Sequence, residues 1–376
     1  MGVLAACVMA AVCAGMGAAE PPVPLKPYGV GIVGNCCTHG AGLCGMFKGR
    51  GDTRVVAAFE KDPGRARELA EALGGPLADS CDAVIHNPEV VIVAIATDPC
   101  DKADMAEKAA AAGRHIFLNK PFCDSLDNAR RIAAAVANAA ATVWLVHDIP
   151  MVRSVPVYAR LMDEVLSGKH GRVMAYHHFF GMDFPMDFDL KSIWPERLDP
   201  PSKSGGGEMT NMGCYAIDYA VALLGHPKSV TAKARKTWDV YQQADVENFG
   251  QIILDYGDFY AFLDVGKQQF RGELRHSNAL TIDFEHEALH IDASAGIATI
   301  NNVPQDFARF AESAQAVGSV EQLIAAIEKG TPPASDAASG VAATEVLMAA
   351  YKSVVDGGSV SLPLAAGENP LAAKRK

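Results

Sequence analysis

The sequence predicts an α/β protein in two parts: an N-terminal doubly wound parallel sheet, then an α+β domain with an open, mainly antiparallel sheet. Three observations carry this expectation. From Tyr28 to about His147, short apolar runs alternate with Ala-rich stretches of helical periodicity. After about Met151, strand-like runs follow one another at short intervals between turn residues. The chain of 376 residues, 49% of them hydrophobic, is also longer than one core usually supports. The domains are placed at 27–148 and 149–365.

Taken in order, the first segment is MGVLAACVMAAVCAGMGAA, residues 1–19, without a charged side chain and ending in small residues before Glu20 and PPVPLKP. It has the apolar region and cleavage site of a signal peptide but lacks the positive start. Removal of such a leader would make the protein exported and periplasmic; otherwise it is expected in the cytoplasm. Weakly hydrophobic Ala and Gly argue against a permanent membrane span.

YGVGIV, TRVVAAFE, EVVIVAIA, RHIFLN and TVWLVH are β-branched runs without polar alternation, as in parallel strands buried on both faces. GRARELAEAL, KADMAEKAAAAG and LDNARRIAAAVANAA, lying between them, read as crossover helices. VPVYARLMDEVLSG is a further helix, HGRVMAYHHFFG a strand, and SGGGEMTNMGCYAIDYAVALLGHP a helix stopped by Gly225 and Pro227. SVTAKARKTW, NFGQIILDY, DFYAFLDVG, ALTIDFE, ALHIDAS and GIATIN then read as an antiparallel sheet, and VEQLIAAIEKG and DAASGVAATEVLMAAYKSVVDG as closing helices.

A net charge of -11 and no long run of Lys or Arg argue against a nucleic-acid partner, whose phosphates demand clustered positive charge. A small molecule fits better. Nine cysteines are scattered with no C-x-x-C pair and no His/Cys spacing for zinc, so neither a metal site nor a disulfide framework is expected. Cys36 and Cys37 are adjacent and could bond to each other only with backbone strain.

In a doubly wound sheet, ligands bind beyond the carboxyl ends of the strands. The first such position is GVGIVGNCCTHGAG, where a strand runs into a glycine turn but G-x-G-x-x-G is altered: counted from Gly34, cysteine and histidine replace the second and third glycines. Gly34 can make the tight turn, and Gly40 and Gly42 could restore close packing of helix on strand. Gly34, Asn35, Cys36, Thr38 and His39 are the loop's candidate contacts to a dinucleotide, since amides at a helix N-terminus attract phosphate. Glu60, at the end of TRVVAAFE, could accept both adenosine ribose hydroxyls and favour NAD; Lys61 beside it leaves NADP open. Ala96 and Thr97 follow EVVIVAIA, and Asn119 and Lys120 end RHIFLN, with Pro121 turning the lysine towards the cleft. In SGGGEMTNMGCYAID, Asn211, Tyr215 and Asp218 are spaced for one face of a helix, after three glycines that would let backbone approach a flat ligand such as nicotinamide.

This order of glycine loop, acid-ended second strand, AT, x-K-P and GGG-x-x-x-x-x-G-x-x-x-x-D resembles the glucose-fructose oxidoreductase, inositol dehydrogenase and MocA family over nearly the whole chain from Tyr28. The resemblance implies a Rossmann domain and a C-terminal domain whose open sheet often forms a homo-oligomer interface. It also implies a nicotinamide-dependent oxidoreductase moving hydride between NAD(P) and a sugar, cyclitol or related polyol. The family's E-K-P lysine matches Lys120. Its D-x-G-x-H pair falls on Asn211 and Tyr215, making Lys120, Tyr215 and Asn211 the catalytic candidates. In this reading Tyr215 shuttles the proton, helped by Lys120 within about 4–6 Å, and Asn211 fixes the reacting hydroxyl. His147, Asp148, Arg153, Asn211 and Asp218 are candidates for the sugar pocket. Two alternatives stand beside it: redox-cycling hydrolysis or epimerisation with retained NAD, and a non-catalytic sugar- or nucleotide-binding role.

Overall fold

The computed structural model describes residues 26–270, 275–312, 316–365 and 367–373. The expected leader, residues 1–19, lies outside them. No helix among the described residues is long and apolar enough to cross a membrane.

Five parallel strands form the first sheet: β1 (Tyr28–Val33), β2 (Thr53–Phe59), β3 (Ile92–Ile95), β4 (His115–Asn119) and β5 (Leu145–Asp148). Their order is β2-β1-β3-β4-β5, so the chain changes direction across the sheet between β1 and β3. That reversal opens a crevice outside the strand ends, where a ligand can lie. Apart from the partly exposed edge strand β2, the strands are buried on both faces because helices cover both. Val30, Ile32, Ala94, Phe117 and Val146 pack with α1 (His39–Lys48) and α2 (Pro63–Leu73). Val33, Val93, Ile95, Ile116 and Leu118 meet the other layer, with α3 (Cys81–Ile85), α4 (Lys102–Ala111) and α5 (Leu126–Ala137). Asp62, Ser80 and Ser125 start α2, α3 and α5 by accepting a backbone N–H in the first turn, as N-caps do. Of these helices, the short α3 has no counterpart among the sequence expectations.

The second part begins with α6 (Pro156–Leu166) and builds a nine-stranded sheet. Its main strands are β6 (Val173–Pro185), β7 (Ser229–Arg235), β8 (Phe249–Asp255), β9 (Tyr260–Phe270), β10 (Arg275–Phe284), β11 (Ala288–Asp292) and β12 (Ile297–Ile300). It is mainly antiparallel, but the two long central strands β6 and β9 pair in parallel, from Ala175 opposite Tyr260 to Pro185 opposite Phe270. In the first half of β6 the sides alternate: Tyr176, His178 and Phe180 are buried, while His177 is exposed on the other face.

The SGGGEMTNMGCYAID segment is not one helix. A short helix Glu208–Asn211 ends at Met212, and a second helix, Gly213–Leu224, follows. The single-face spacing expected for Asn211, Tyr215 and Asp218 is therefore broken. Of the closing helices, Ser319–Lys329 returns to the first sheet, where Val320, Leu323 and Ile324 join Phe117 and Val146. Helix Ala337–Asp356 packs against α5, β7 and Gly213–Leu224, tying both parts together.

Candidate active site

Two adjoining clefts open at the strand ends and share Thr97 and Asp98 as their common wall. The first is lined by Cys36, Cys37, His39, Lys120, Arg197 and Asn211 among others; the second by Gly34, Glu60, Lys61, Arg65 and Met105 among others.

The glycine loop is built to bring backbone close. Gly34 has φ 92°, and a Cβ there would stand 2.5 Å from the Thr97 nitrogen. Gly40 restores the close helix–strand packing that the missing third glycine would give: its Cβ would lie 2.1 Å from the Gly34 carbonyl oxygen, whereas Gly42 has nothing within 4 Å. Asn35 is fully buried and spent on the protein. Its Oδ1 accepts the Ala41 N–H at 2.9 Å, and its Nδ2 donates to the Arg65 carbonyl and to Glu68 Oε2, both at 3.0 Å. The Asn35 amide donates to Glu60 Oε2 at 2.6 Å, and Glu60 Oε1 accepts from the Asp62 amide at 2.8 Å. Glu60 thus braces the loop while facing the second cleft, and a carboxylate with about four acceptor sites still has room for a hydroxyl. Arg65 forks onto Asp98 at 2.8 and 3.2 Å, closing that cleft's floor, and Lys61 is held by Asp101 at 2.5 Å. Ala96 is buried, its carbonyl accepting the Cys36 amide at 2.8 Å, and Thr38 is exposed.

Lys120 carries the site's sharpest geometry. It ends up buried at 6% exposure beside the first cleft, where its Nζ donates to Asn211 Oδ1 at 2.6 Å. Asn211 Nδ2 donates in turn to Glu208 Oε2 at 2.7 Å. Glu208 is anchored by the Tyr241 hydroxyl at 2.8 Å and by Lys267 Nζ at 3.3 Å. Burial, then the Arg197 charge, lowers the Lys120 pKa; burial works against the Glu208 carboxylate, but Lys267 and Arg197 outweigh it and hold the pKa down. Burial also brings Lys267 to about 8, and Lys102 likewise, whose ammonium donates to the Asn119 and Pro121 carbonyls and so fixes the turn that aims Lys120. His39 is kept neutral by burial and by Lys120, Arg197 and Lys102.

Tyr215 takes another position from the one expected. Lys120 Nζ lies over its ring, 5.4 Å from the centroid, and burial pushes the hydroxyl well above its usual pKa, with Cys214 and Asp148 adding to the rise. The lysine does not lower it. Tyr215 lines neither cleft. Arg153 and Asp218 pair with each other, at 2.5 and 3.0 Å, and Arg153 also donates to the Ala334 carbonyl at 2.7 Å, so this couple braces a different groove with Tyr158 and Tyr219. Asp148 is buried and accepts from Asn119 Nδ2 at 3.3 Å; His147 is buried edge-on to Phe122. Gly206 and Gly207 bring backbone to the wall of the first cleft, while added Cβ atoms at Gly205, Gly206 and Gly207 would meet Asp124, Tyr351 and Glu247.

The structure therefore gathers Cys36, His39, Thr97, Lys120 and Asn211 around one cleft and Gly34, Glu60, Lys61 and Thr97 around the next. Asn35, Thr38, Ala96, Asn119, His147, Asp148, Arg153, Tyr215 and Asp218 fall outside both linings. Sequence reasoning missed Arg197, Glu208 and Lys267. Arg197 Nε is buried with no partner, as is Thr97 Oγ1. These orphaned atoms and the glycine cradle fit a phosphate-bearing dinucleotide, whose ribose would meet Glu60 and whose phosphates would meet the amides at the start of α1.

Comparison with known proteins agrees with this geometry. Residues 29–147 match the family described as oxidoreductase family, NAD-binding Rossmann fold, and residues 158–289 match the GFO/IDH/MocA C-terminal domain. Inositol 2-dehydrogenase of Rhizobium meliloti is 24% identical over 86% of this chain and 97% of its own. D-xylose dehydrogenase of Paenarthrobacter nicotinovorans is 29% identical over 46% of this chain, and the matched stretch is 44% of that enzyme. The WlbA dehydrogenase of Bordetella pertussis, solved with NADH and UDP-GlcNAcA, shares the fold with a TM-score of 0.72 at 18% identity over 90% of this chain and 99% of its own. With both domains matched in order and the dinucleotide cradle in place, the chain belongs to the Gfo/Idh/MocA family of NAD(P)-dependent oxidoreductases.

Proposed function

We propose that the protein catalyses reversible NAD-dependent oxidation of a carbinol carbon in a sugar, cyclitol or related polyol, with Lys120 as the proton-transfer group. The observation that carries this reading is the Lys120–Asn211–Glu208 chain, which joins the end of a Rossmann strand to the second domain beside the first cleft. When bound, the nicotinamide supplies the hydride acceptor or donor. The protein's part is to hold the proton. A buried lysine whose charged form is disfavoured can take a hydroxyl proton and return it. Asn211 accepts one ammonium hydrogen and so fixes Nζ, leaving its other positions for the substrate oxygen. The anchored Glu208 carboxylate fixes the amide's orientation and keeps its oxygen turned to the lysine. Glu60 at the ribose position supports NAD, because its carboxylate repels a 2'-phosphate.

Replacing Lys120 by Met is expected to cut turnover about 100- to 10,000-fold while NADH affinity, read by fluorescence titration, changes little. Full activity in that variant sinks the assignment. The same reading places a homo-oligomer contact on the open sheet face, where His177 stacks on Phe262 at 4.8 Å and 12° beside Phe179. Phe262→Glu should then lower the mass seen in sedimentation, and an unchanged mass removes that face from the assembly.

A further inference from the structure

Cys36 and Cys37 have no part in proton transfer, yet both line the first cleft and their Sγ atoms lie 3.6 Å apart. Neighbouring side chains in extended backbone point to opposite sides. Here Cys37 has φ 52° and Thr38 φ 64°, a left-handed pair that non-glycine residues rarely adopt, and the chain folds back so that the two thiols share one side. The thiols also differ. Their mutual hydrogen bond holds the Cys36 pKa well up and brings Cys37 down, with Arg197 and Lys120 favouring a thiolate at Cys37. A thiolate in a cationic, cleft-facing setting is the form that reacts with oxidants.

We propose that Cys36 and Cys37 form a reversible disulfide within the cofactor loop, a modification site where a peroxide-class oxidant weakens dinucleotide binding. The chemistry balances as two thiols and one hydrogen peroxide giving one disulfide and two waters. The Cys37 sulfur attacks a peroxide oxygen, the O–O bond breaks, and the departing hydroxide takes a proton to become the first water. Cys36 then attacks the Cys37 sulfenic acid, the S–S bond forms, and the sulfenic oxygen leaves with the Cys36 proton as the second. The sulfurs must close to about 2.05 Å, between residues whose Cα atoms stand only about 3.8 Å apart, below the usual range for a disulfide. Such a bond is strained and therefore easily reduced, as labile and regulatory disulfides are. The strain falls on the peptide joining residues 36 and 37, so the amides at the start of α1 would turn away from a phosphate. The bond itself depends only on the thiol geometry; its effect on binding rests on the cofactor placement proposed for this loop.

The test uses the full chain. Reduced protein is first titrated with NADH, then exposed to graded hydrogen peroxide, alkylated with iodoacetamide and mapped by peptide mass, with NADH titration repeated before and after dithiothreitol. The expected result is a peptide in which residues 36 and 37 escape alkylation and have lost two hydrogens. NADH should bind about ten- to a hundredfold more weakly, as loss of one charged hydrogen bond implies, and recover on reduction. Bound NADH should slow the bond's formation, and Cys37→Ser should lose the peroxide effect. Alkylation of both residues after peroxide, over-oxidation without the bond, or a bond with unchanged NADH affinity each overturns the proposal, and mapping of the unmutated chain decides this even where the variant fails to fold. Reduced protein that never binds NADH overturns the cofactor placement instead, and shows it before any oxidant is added.

Discussion

Lys120 is an amine whose hydrogen-bond partner is an amide, Asn211, not a carboxylate. Burial and the Arg197 charge therefore act on it without direct compensation, and its pKa falls below the ordinary lysine value. A base must be neutral to take a proton, so the rate of substrate oxidation should rise with pH and level off below about 10.4, the free lysine value. Arg197→Gln removes one cause of the depression and should move that inflection upward; an unmoved profile would remove Lys120 from the rate. Tyr215→Phe should leave the inflection in place and cost less than about tenfold, since the lysine meets the ring face and not the hydroxyl. Lys120 was legible in the sequence because it ends an apolar run before a proline. Arg197 was not, because it stands in a Pro- and Asp-rich loop with no periodicity, and nothing in the local pattern set Glu208 apart. Only the fold shows Arg197 Nε buried and Glu208 fixed by Lys267 and Tyr241.

The join of β1 to α1 shows what an altered fingerprint keeps at the scale of an element. Gly40 and Gly42 are two residues apart on one helix, but a Cβ at the first meets the Gly34 carbonyl oxygen at 2.1 Å and at the second meets nothing. Gly40→Ala must push backbone from backbone, an overpacking that costs about 1–3 kcal/mol, and should weaken NADH binding with it. Gly42→Ala should stabilise by about 0.5–1 kcal/mol through helix propensity alone. Urea denaturation of the two variants checks the pair; equal effects would mean that α1 does not depend on this close approach. Hydrophobic periodicity located the strands well, since doubly buried runs such as EVVIVAIA have few other uses. It could not give partners, which is why the parallel pairing of β6 with β9 was missed. The break at Met212 was missed although Gly213, a poor helix former, stands directly after it; the start of the first short helix is tied across the domain by Gly207 and Glu208 donating to Glu247.

The molecule as a whole is held by contacts that no local pattern announces. Helix Ala337–Asp356 reads as a closing helix in sequence, but nothing there says that it would join α5 of the first part to β7 of the second. From its C-terminal half the Tyr351 hydroxyl donates to Glu247 Oε1 at 3.0 Å, and Glu247 also accepts the amides of Met209 at 2.9 Å and Gly207 at 3.3 Å. This carboxyl therefore sets the loop that carries Glu208 and Asn211. Burial raises its pKa from 4.5 to about 7, despite the amide hydrogen bonds that favour the charge. The folded protein thus binds a proton that the unfolded chain has released between these values, so the stability this group contributes is full below 4.5, falls as pH rises to about 7, and is constant above. At about 1.4 kcal/mol per pH unit, that interval amounts to about 3 kcal/mol. Glu247→Gln cannot titrate and should lack this fall, although its amide fits the two backbone donors less well at every pH. The stability of the native chain relative to the variant should therefore shrink by about 3 kcal/mol between about pH 4.5 and pH 8. Taking the difference between the two proteins at each pH cancels the titration of every other group. A constant difference in urea denaturation across that range would mean that Glu247 stays ionised, and that the amides and Tyr351 outweigh its burial.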